Sequence, residues 1–160
     1  MTARRRVEPP RPTPDNAADA WAAIVQAIPE GSRAREVLDA YEPAVPQLYA
    51  MSLLAAEVNN GGFSQFFFNG GGMWVDDAIA GFAAAGLVDY SRLTVDATNA
   101  VVTQMDALVE AQGRSLDGYA DWSAKAGLDQ YDDRWWELPD LDPALDRFLA
   151  DHASEIWETT

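Results

Sequence analysis

The amino-acid sequence predicts an all-α fold: a compact single domain of several helices around one buried central helix, preceded by a flexible N-terminal tail. Apolar residues recur at helical spacing, and no segment shows the strict alternation of a half-buried strand. Prolines and glycines divide the chain into stretches of helical length. A length of 160 residues corresponds to one domain, and an apolar fraction of 48% suffices for a core.

The first 14 residues differ in composition from the rest of the chain. Four arginines stand against Glu8 alone and are followed by several prolines: Arg4, Arg5, Arg6 and Arg11. Such a segment is typical of a flexible, basic, proline-rich tail. No apolar region of a signal peptide follows the arginines, so we expect a cytoplasmic protein with an acidic helical domain over residues 15–160.

The helices can be followed along the chain by their start and stop signals. Asp15 is the predicted cap of the first helix, which extends to Ile28. Further helices are expected at about 33–41, 46–58, 73–85, 91–112, 115–126 and 143–157, with an irregular segment at 127–141. The stretch from Leu48 to Val58 is apolar almost all round, which is typical of a buried helix.

The formal net charge is −15, from 26 acidic and 11 basic residues. Between residues 129 and 158 there are 10 acids and only two bases, Arg134 and Arg147. A field of this sign repels nucleic acid and anionic membranes and attracts basic partners. We therefore take these acids, called here the acidic set, as candidate partner-binding residues: Asp129, Asp132, Asp133, Glu137, Asp140, Asp142, Asp146, Asp151, Glu155 and Glu158.

On a helical wheel, Asp142 and Asp146 flank one side of the apolar arc of the last helix. The acids at its C-terminal end fall on the other side: Asp151, Glu155 and Glu158. Three tryptophans lie among the acids: Trp135, Trp136 and Trp157. They are either core residues or apolar anchors of a partner interface, where tryptophan is enriched.

The segment from Glu57 to Asn69 is the most unusual of the chain. Its notable residues are Glu57, Asn59, Asn60, Gly61, Gly62, Phe63, Gln65, Phe66 and Asn69. A carboxylate at the end of an apolar helix needs hydrogen-bond donors, which the amides supply. The glycines permit a sharp change of direction, and the phenylalanines are expected in the core. Two interpretations remain: a buried polar knot that fixes a helix angle, or the lining of a pocket.

This motif, with the helix around residues 77–87, resembles the signature of the small acidic bacterial DNA-mimic protein family, which is otherwise a domain of unknown function. The resemblance extends over about residues 35–158, with the C-terminal third the least specific. It implies an all-helical fold, a homodimer and a surface acidic enough to imitate duplex DNA toward DNA-binding proteins.

Residues for other chemistry are scarce. His152 is the only histidine and there is no cysteine, which argues against zinc. The segment from Asp129 has Arg134 where a calcium loop requires glycine. We expect no catalytic residue, no metal site and no cofactor.

The leading hypothesis is a non-enzymatic protein that occupies the DNA-binding surface of a basic DNA-binding protein or transcription factor, without binding nucleic acid or membrane itself. An immunity-like or antitoxin-like binder of a basic enzyme is one alternative. The other is a small-ligand binder or enzyme that uses the polar cluster of residues 57–69.

Overall fold

The computed structural model describes residues 2–159, and over these residues the all-α prediction is confirmed. A 3-10 helix at Gly71–Trp74 precedes the fourth of ten α-helices. The α-helices are α1 (Ala17–Gln26), α2 (Ala34–Leu38), α3 (Ala44–Phe68), α4 (Val75–Ala84), α5 (Val88–Val102), α6 (Met105–Gln112), α7 (Ser115–Lys125), α8 (Asp129–Glu137), α9 (Asp142–Asp151) and α10 (Ala153–Ile156).

Helix α3 is the centre of the molecule, as the sequence predicted. It packs against α1, α4, α8, α9 and α10. Leu48, Met51 and Leu54 are fully buried, and so is Phe66 near its end. Burial of each such side chain contributes about 1.5–3 kcal/mol to the stability of the fold, so α3 is the main element of the core.

The first helix begins one residue later than expected. Asn16, rather than Asp15, is its cap: the Asn16 Oδ1 atom accepts a hydrogen bond of 2.8 Å from the Asp19 backbone N–H. Asp15 is exposed. Asparagine and aspartate are equally good caps, so local propensity does not decide between neighbours.

Two of the predicted boundaries inside the C-terminal half are wrong. The stretch predicted as one helix over 91–112 is divided at Thr103 and Gln104. The Nε2 atom of Gln104 donates hydrogen bonds to the carbonyls of Ala100 and Ala126. The segment predicted as irregular contains α8. That helix is rich in charge and has only Trp135 fully packed, so its stability depends on tertiary contacts rather than on an apolar stripe.

The last predicted helix is also divided. The backbone leaves helical geometry at His152, and Trp157 is extended with φ −101° and ψ 139°. The side chain of Trp157 is buried. The single helical wheel therefore does not apply beyond His152, and Glu155 and Glu158 do not share a helix face with Asp151.

Residues 5–7 are docked on the helical domain, whereas their composition predicts a flexible tail over residues 1–14. The Arg5 N–H donates to Ala40 O at 2.8 Å, and the Val7 N–H donates to Ile156 O at 2.7 Å. Val7 is only 2% exposed. Val7 is an apolar residue that follows three arginines. Its burial packs this segment against the C-terminal segment at Ile156.

Over the described residues, no helix is both long and apolar enough to cross a membrane.

A candidate acidic interaction site

The acidic set follows α8, the loop after it, α9 and the C-terminal segment. Seven of its ten members are exposed: Asp129, Asp133, Glu137, Asp140, Asp142, Asp151 and Glu158. The other three are half-buried: Asp132, Asp146 and Glu155. All ten therefore lie at least partly at the surface.

The exposed members of the set carry their charge without compensation. Between residues 2 and 159, no salt bridge joins any of these seven carboxylates to an arginine or lysine. Arg134 lies in the same helix as Asp133 and Glu137, but its Nη2 atom bonds Asp96 on α5 at 2.8 Å. The one basic residue of α8 thus pairs with an acid outside the set.

Asp132 has a structural role within the set. Its Oδ1 atom accepts a hydrogen bond of 2.7 Å from the backbone N–H of Phe63. Burial raises the pKa of Asp132, the hydrogen bond from Phe63 lowers it, and the charges of Asp129 and Asp133 raise it further. The net shift is upward, so placing this carboxylate at the bend of α3 costs the fold free energy when the group is ionised.

The two other half-buried members of the set also have partners in the fold. Asp146 Oδ1 accepts from the Ala17 backbone N–H at 2.7 Å, which satisfies a free donor in the first turn of α1. Glu155 bonds His152 Nδ1 at 2.9 Å, and the His152 ring lies on Phe148 with 4.3 Å between ring centroids. His152 is therefore packed and bonded.

The three tryptophans of this region have two different roles. Trp135 and Trp157 are buried, at 5% and 6% exposure, and belong to the core. Trp136 is 63% exposed. Trp135 packs edge-on against Phe63 and Tyr90. The packing of α8 on α3 and α5 therefore places Trp135 in the core and leaves Trp136 at the surface.

The glycine pair of the motif produces the bend that the sequence predicted. The backbone of α3 leaves helical geometry at Gly61 and Gly62, and Gly62 has φ 77° and ψ 179°. A Cβ atom at Gly62 would lie 2.3 Å from Asp132 Oδ2. Glycine is therefore required at position 62 for two reasons. The backbone conformation is one that L side chains rarely adopt, and a side chain would collide with the carboxylate of Asp132.

The polar residues of the motif form a hydrogen-bonded cluster across this bend. Glu57 Oε2 accepts from Gln65 Nε2 at 2.7 Å and from Asn69 Nδ2 at 3.0 Å. Asn60 Nδ2 donates to Gln65 Oε1 at 3.1 Å. Glu57 and Gln65 are half-buried, and Asn60 and Asn69 are exposed, so the cluster lies at the surface. The interpretation as a buried polar knot is therefore wrong about the burial. Phe63 and Phe66 are fully buried, as expected.

Asn59 belongs to a different contact. Its Oδ1 atom accepts a hydrogen bond of 2.9 Å from Trp135 Nε1 on α8. Local sequence gives no signal for this bond or for the one between Asp132 and Phe63, because the partners are 76 and 69 residues apart. Together they fix α8, and the acids it carries, to the bend of α3.

Asn59 borders two open grooves, whose other lining residues lie outside the polar cluster. Within residues 2–159, no group of three or more metal-ligating side chains is close enough to hold a metal ion.

These features define a class of protein: an all-α domain with a bent central helix and a C-terminal region of exposed, uncompensated carboxylates. The sequence matches the family described as DMP19-like protein over residues 39–152. The chain therefore belongs to this DNA-mimic family, and the matched region includes the motif and most of the acidic set. Neither a curated protein nor a solved structure matches the chain.

Proposed function

We propose that this protein is a non-enzymatic DNA mimic, which uses the acidic set to occupy the DNA-binding surface of a basic DNA-binding protein in the cytoplasm. The observation that carries the proposal is the absence of ion-pair partners for the seven exposed carboxylates among residues 2–159. Membership of the DMP19-like family supports the same role.

The distribution of the basic residues supports this proposal over a purely solubilising role. Arg33, Arg35 and Arg114 pair with acids elsewhere on the surface, as Arg134 does. A surface that only needed solubility would gain from mixed charges, whereas dense like charges repel one another. This repulsion is relieved when a cationic partner binds.

The spacing of the carboxylates also suits imitation of phosphates. Residues three or four apart on a helix are separated by about 5–6 Å. Asp129, Asp133 and Glu137 follow one another at four-residue intervals along α8. Helix α8 is anchored to α3 by two hydrogen bonds from or to its side chains, so these charges are held in place before binding.

Capture from a lysate of the source organism at low salt, followed by competition with duplex DNA, tests the proposal. We expect a DNA-binding protein that DNA displaces and whose affinity falls as salt rises, because screening weakens electrostatic steering. A complex that is indifferent to DNA and salt would refute mimicry. Recovery of a basic enzyme without DNA-binding activity would instead favour the immunity-like alternative.

A charge-matched pair of variants makes the test specific. The triple change Asp129→Asn, Asp133→Asn and Glu137→Gln removes three charges from α8. We expect a loss of affinity of about tenfold to hundredfold, since three exposed ion pairs of up to about 1 kcal/mol each contribute up to about 3 kcal/mol together. The control removes three exposed acids elsewhere: Asp89→Asn, Asp106→Asn and Asp117→Asn. An equal loss in the control would show that net charge, rather than the α8 carboxylates, determines binding.

We also propose a homodimer and infer its contact from exposed apolar residues. Val88, Val95 and Val102 lie seven residues apart on α5 and are 50%, 38% and 60% exposed. The double change Val95→Asp and Val102→Asp should convert a dimer to a monomer in light scattering. An unchanged mass would exclude this contact.

A further inference from the structure

Residues 4–8, called here the N-terminal arm, run between two other segments of the chain. Four main-chain hydrogen bonds with N···O distances of 2.7–2.9 Å hold the arm there. Two of them join Arg5 to residues 40–42, and the other two join Val7 to residues 156–158. The two flanking segments form a slot, called here the arm slot, which binds the arm by its backbone in the way that sheet edges bind an added strand.

The arm is attached to the rest of the protein by few side-chain contacts. Val7 is its only buried residue, and the four other residues of the arm are exposed. Docking therefore depends on one apolar side chain and on the main-chain hydrogen bonds. These gains are set against the conformational entropy that is lost when the arm becomes ordered. Release of the arm thus costs far less free energy than unfolding of the helical domain.

The arm and the arm slot are complementary in charge. Residues 4–6 are three exposed arginines. Glu42 and Glu158 lie on opposite edges of the slot, and each donates its main-chain N–H to a carbonyl of the arm. Over residues 2–159, no salt bridge pairs these arginines or these two glutamates with a residue of opposite charge. The slot therefore suits an extended basic segment, without fixed ion pairs that tie it to one particular chain.

The linker from the arm to α1, residues 9–16, is stiff and has to run back along that helix. Pro10 lines a groove together with Gln26 and Ala27 at the C-terminal end of α1, whereas the linker joins α1 at Ala17. Four of the eight linker residues are proline, which restricts the backbone and favours an extended segment. A stiff linker lowers the advantage that docking within one chain has over docking on another.

We propose that the arm slot also binds the N-terminal arm of a second copy of this chain, so that two copies exchange their arms. The contacts are the same within one chain and between two chains, so exchange sacrifices none of them. The linker and the protein concentration then determine which form is populated. This association uses neither the acidic set on α8 nor the proposed contact through α5, so it goes beyond the proposed function.

Two complementary variants of the full-length protein separate the arm from the slot. Val7→Asp places a charge at the buried position of the arm, so the arm leaves and the slot is empty. Glu158→Pro removes the N–H that donates to the Val7 carbonyl and puts a ring carbon in its place, so the slot is blocked while the arm is intact. Trp157 is already extended, as a residue before proline should be. Both variants also carry Val95→Asp and Val102→Asp, which remove the proposed contact through α5.

An affinity tag on the Val7→Asp protein measures the association. We expect it to retain the Glu158→Pro protein, whose free arm enters the empty slot, at least about tenfold more than untagged Val7→Asp protein, which has no competent arm. Circular dichroism checks that both variants keep the helix content of the parent. Equal retention of the two untagged proteins, or retention of neither, would overturn the proposal.

A shortened linker tests the proposal without either of these changes. Deletion of residues 11–14 leaves three chain steps between Pro10 and Ala17, which span at most about 11 Å. Helix α1 is about 15 Å long, so the arm no longer reaches its own slot and docks only on another copy. In the same α5 background, light scattering should give a mass of two copies or more.

The matched control for the deletion replaces residues 11–14 by Gly-Ser-Gly-Ser, which keeps the length of the linker and should give a smaller mass. Adding Val7→Asp to the deletion should return the mass of this control. A deletion variant with the mass of the control, or a larger mass that persists with Val7→Asp, would overturn the exchange. These measurements contain no DNA and no DNA-binding protein, so they stand or fall separately from the DNA-competition test.

Discussion

Replacement of Gly62 by alanine probes the bend of α3 and the anchoring of α8 at once. Gly62 has φ 77° and ψ 179°, a region of backbone space used almost only by glycine. An alanine Cβ would lie 2.3 Å from Asp132 Oδ2, so the carboxylate has to move away. That movement would break its hydrogen bond to the Phe63 backbone N–H.

The magnitude follows from these two effects. Strain of this kind costs about 1–3 kcal/mol. Loss of the acceptor for the part-buried Phe63 N–H costs about 1–3 kcal/mol more. We therefore expect Gly62→Ala to lower the free energy of unfolding by about 4 kcal/mol. For a chain of this size, that corresponds to a decrease in Tm of about 8–16 °C.

Urea denaturation measures the effect, with two other glycines as controls. Gly86 has a positive φ of 74° but nothing within 4 Å of the place that an alanine methyl group would take, so Gly86→Ala reports backbone strain alone. Gly72 has neither a positive φ nor a close neighbour, so Gly72→Ala should be within about 0.5 kcal/mol of the parent. The double variant with Asp132→Ala should lose less than the two single losses combined, since the collision is removed.

The reasoning is refuted if Gly62→Ala costs no more than Gly86→Ala. Additive losses in the double variant would also contradict it, because they would mean that Gly62 and Asp132 do not interact.

Three further predictions concern stability. Burial raises the pKa of Asp132 above its ordinary value of 3.8, so folding takes up a proton there and its contribution to stability falls as pH rises above about 4. Asp132→Asn should therefore gain stability relative to the parent as pH rises above about 4, as measured by urea denaturation at each pH; a constant difference would contradict the raised pKa of Asp132. Trp135→Phe loses the bond to Asn59 and should cost about 1–3 kcal/mol, whereas the exposed Trp136→Phe should change stability by less than about 0.5 kcal/mol. Val7→Ala should lower the free energy of unfolding by about 1–2 kcal/mol despite its position near the N-terminus, and no change in calorimetry would show that residues 5–7 are not docked in solution.

Much of the fold could be predicted from the sequence because its signals are local. The apolar run from Leu48 to Val58 predicts a buried helix whatever its neighbours are, and α3 confirms it. Glycines at positions 61 and 62 predict a change of direction, since few other residues adopt a positive φ. The acidic composition of residues 129–158 predicts exposed carboxylates, because an unpaired charge is not buried.

The tertiary structure alone decided which of these residues act together. Helix α8 has little apolar surface of its own and depends on contacts between residues about 70 positions apart, as in the bond from Phe63 to Asp132. Val7 is buried where its backbone pairs with Ile156 and Glu158, about 150 residues away. Trp135 and Trp136 are adjacent in sequence, and only the packing of α8 on α3 determines which indole is in the core. Charge and helical period are properties of the chain itself, whereas partners distant in sequence become neighbours only through packing.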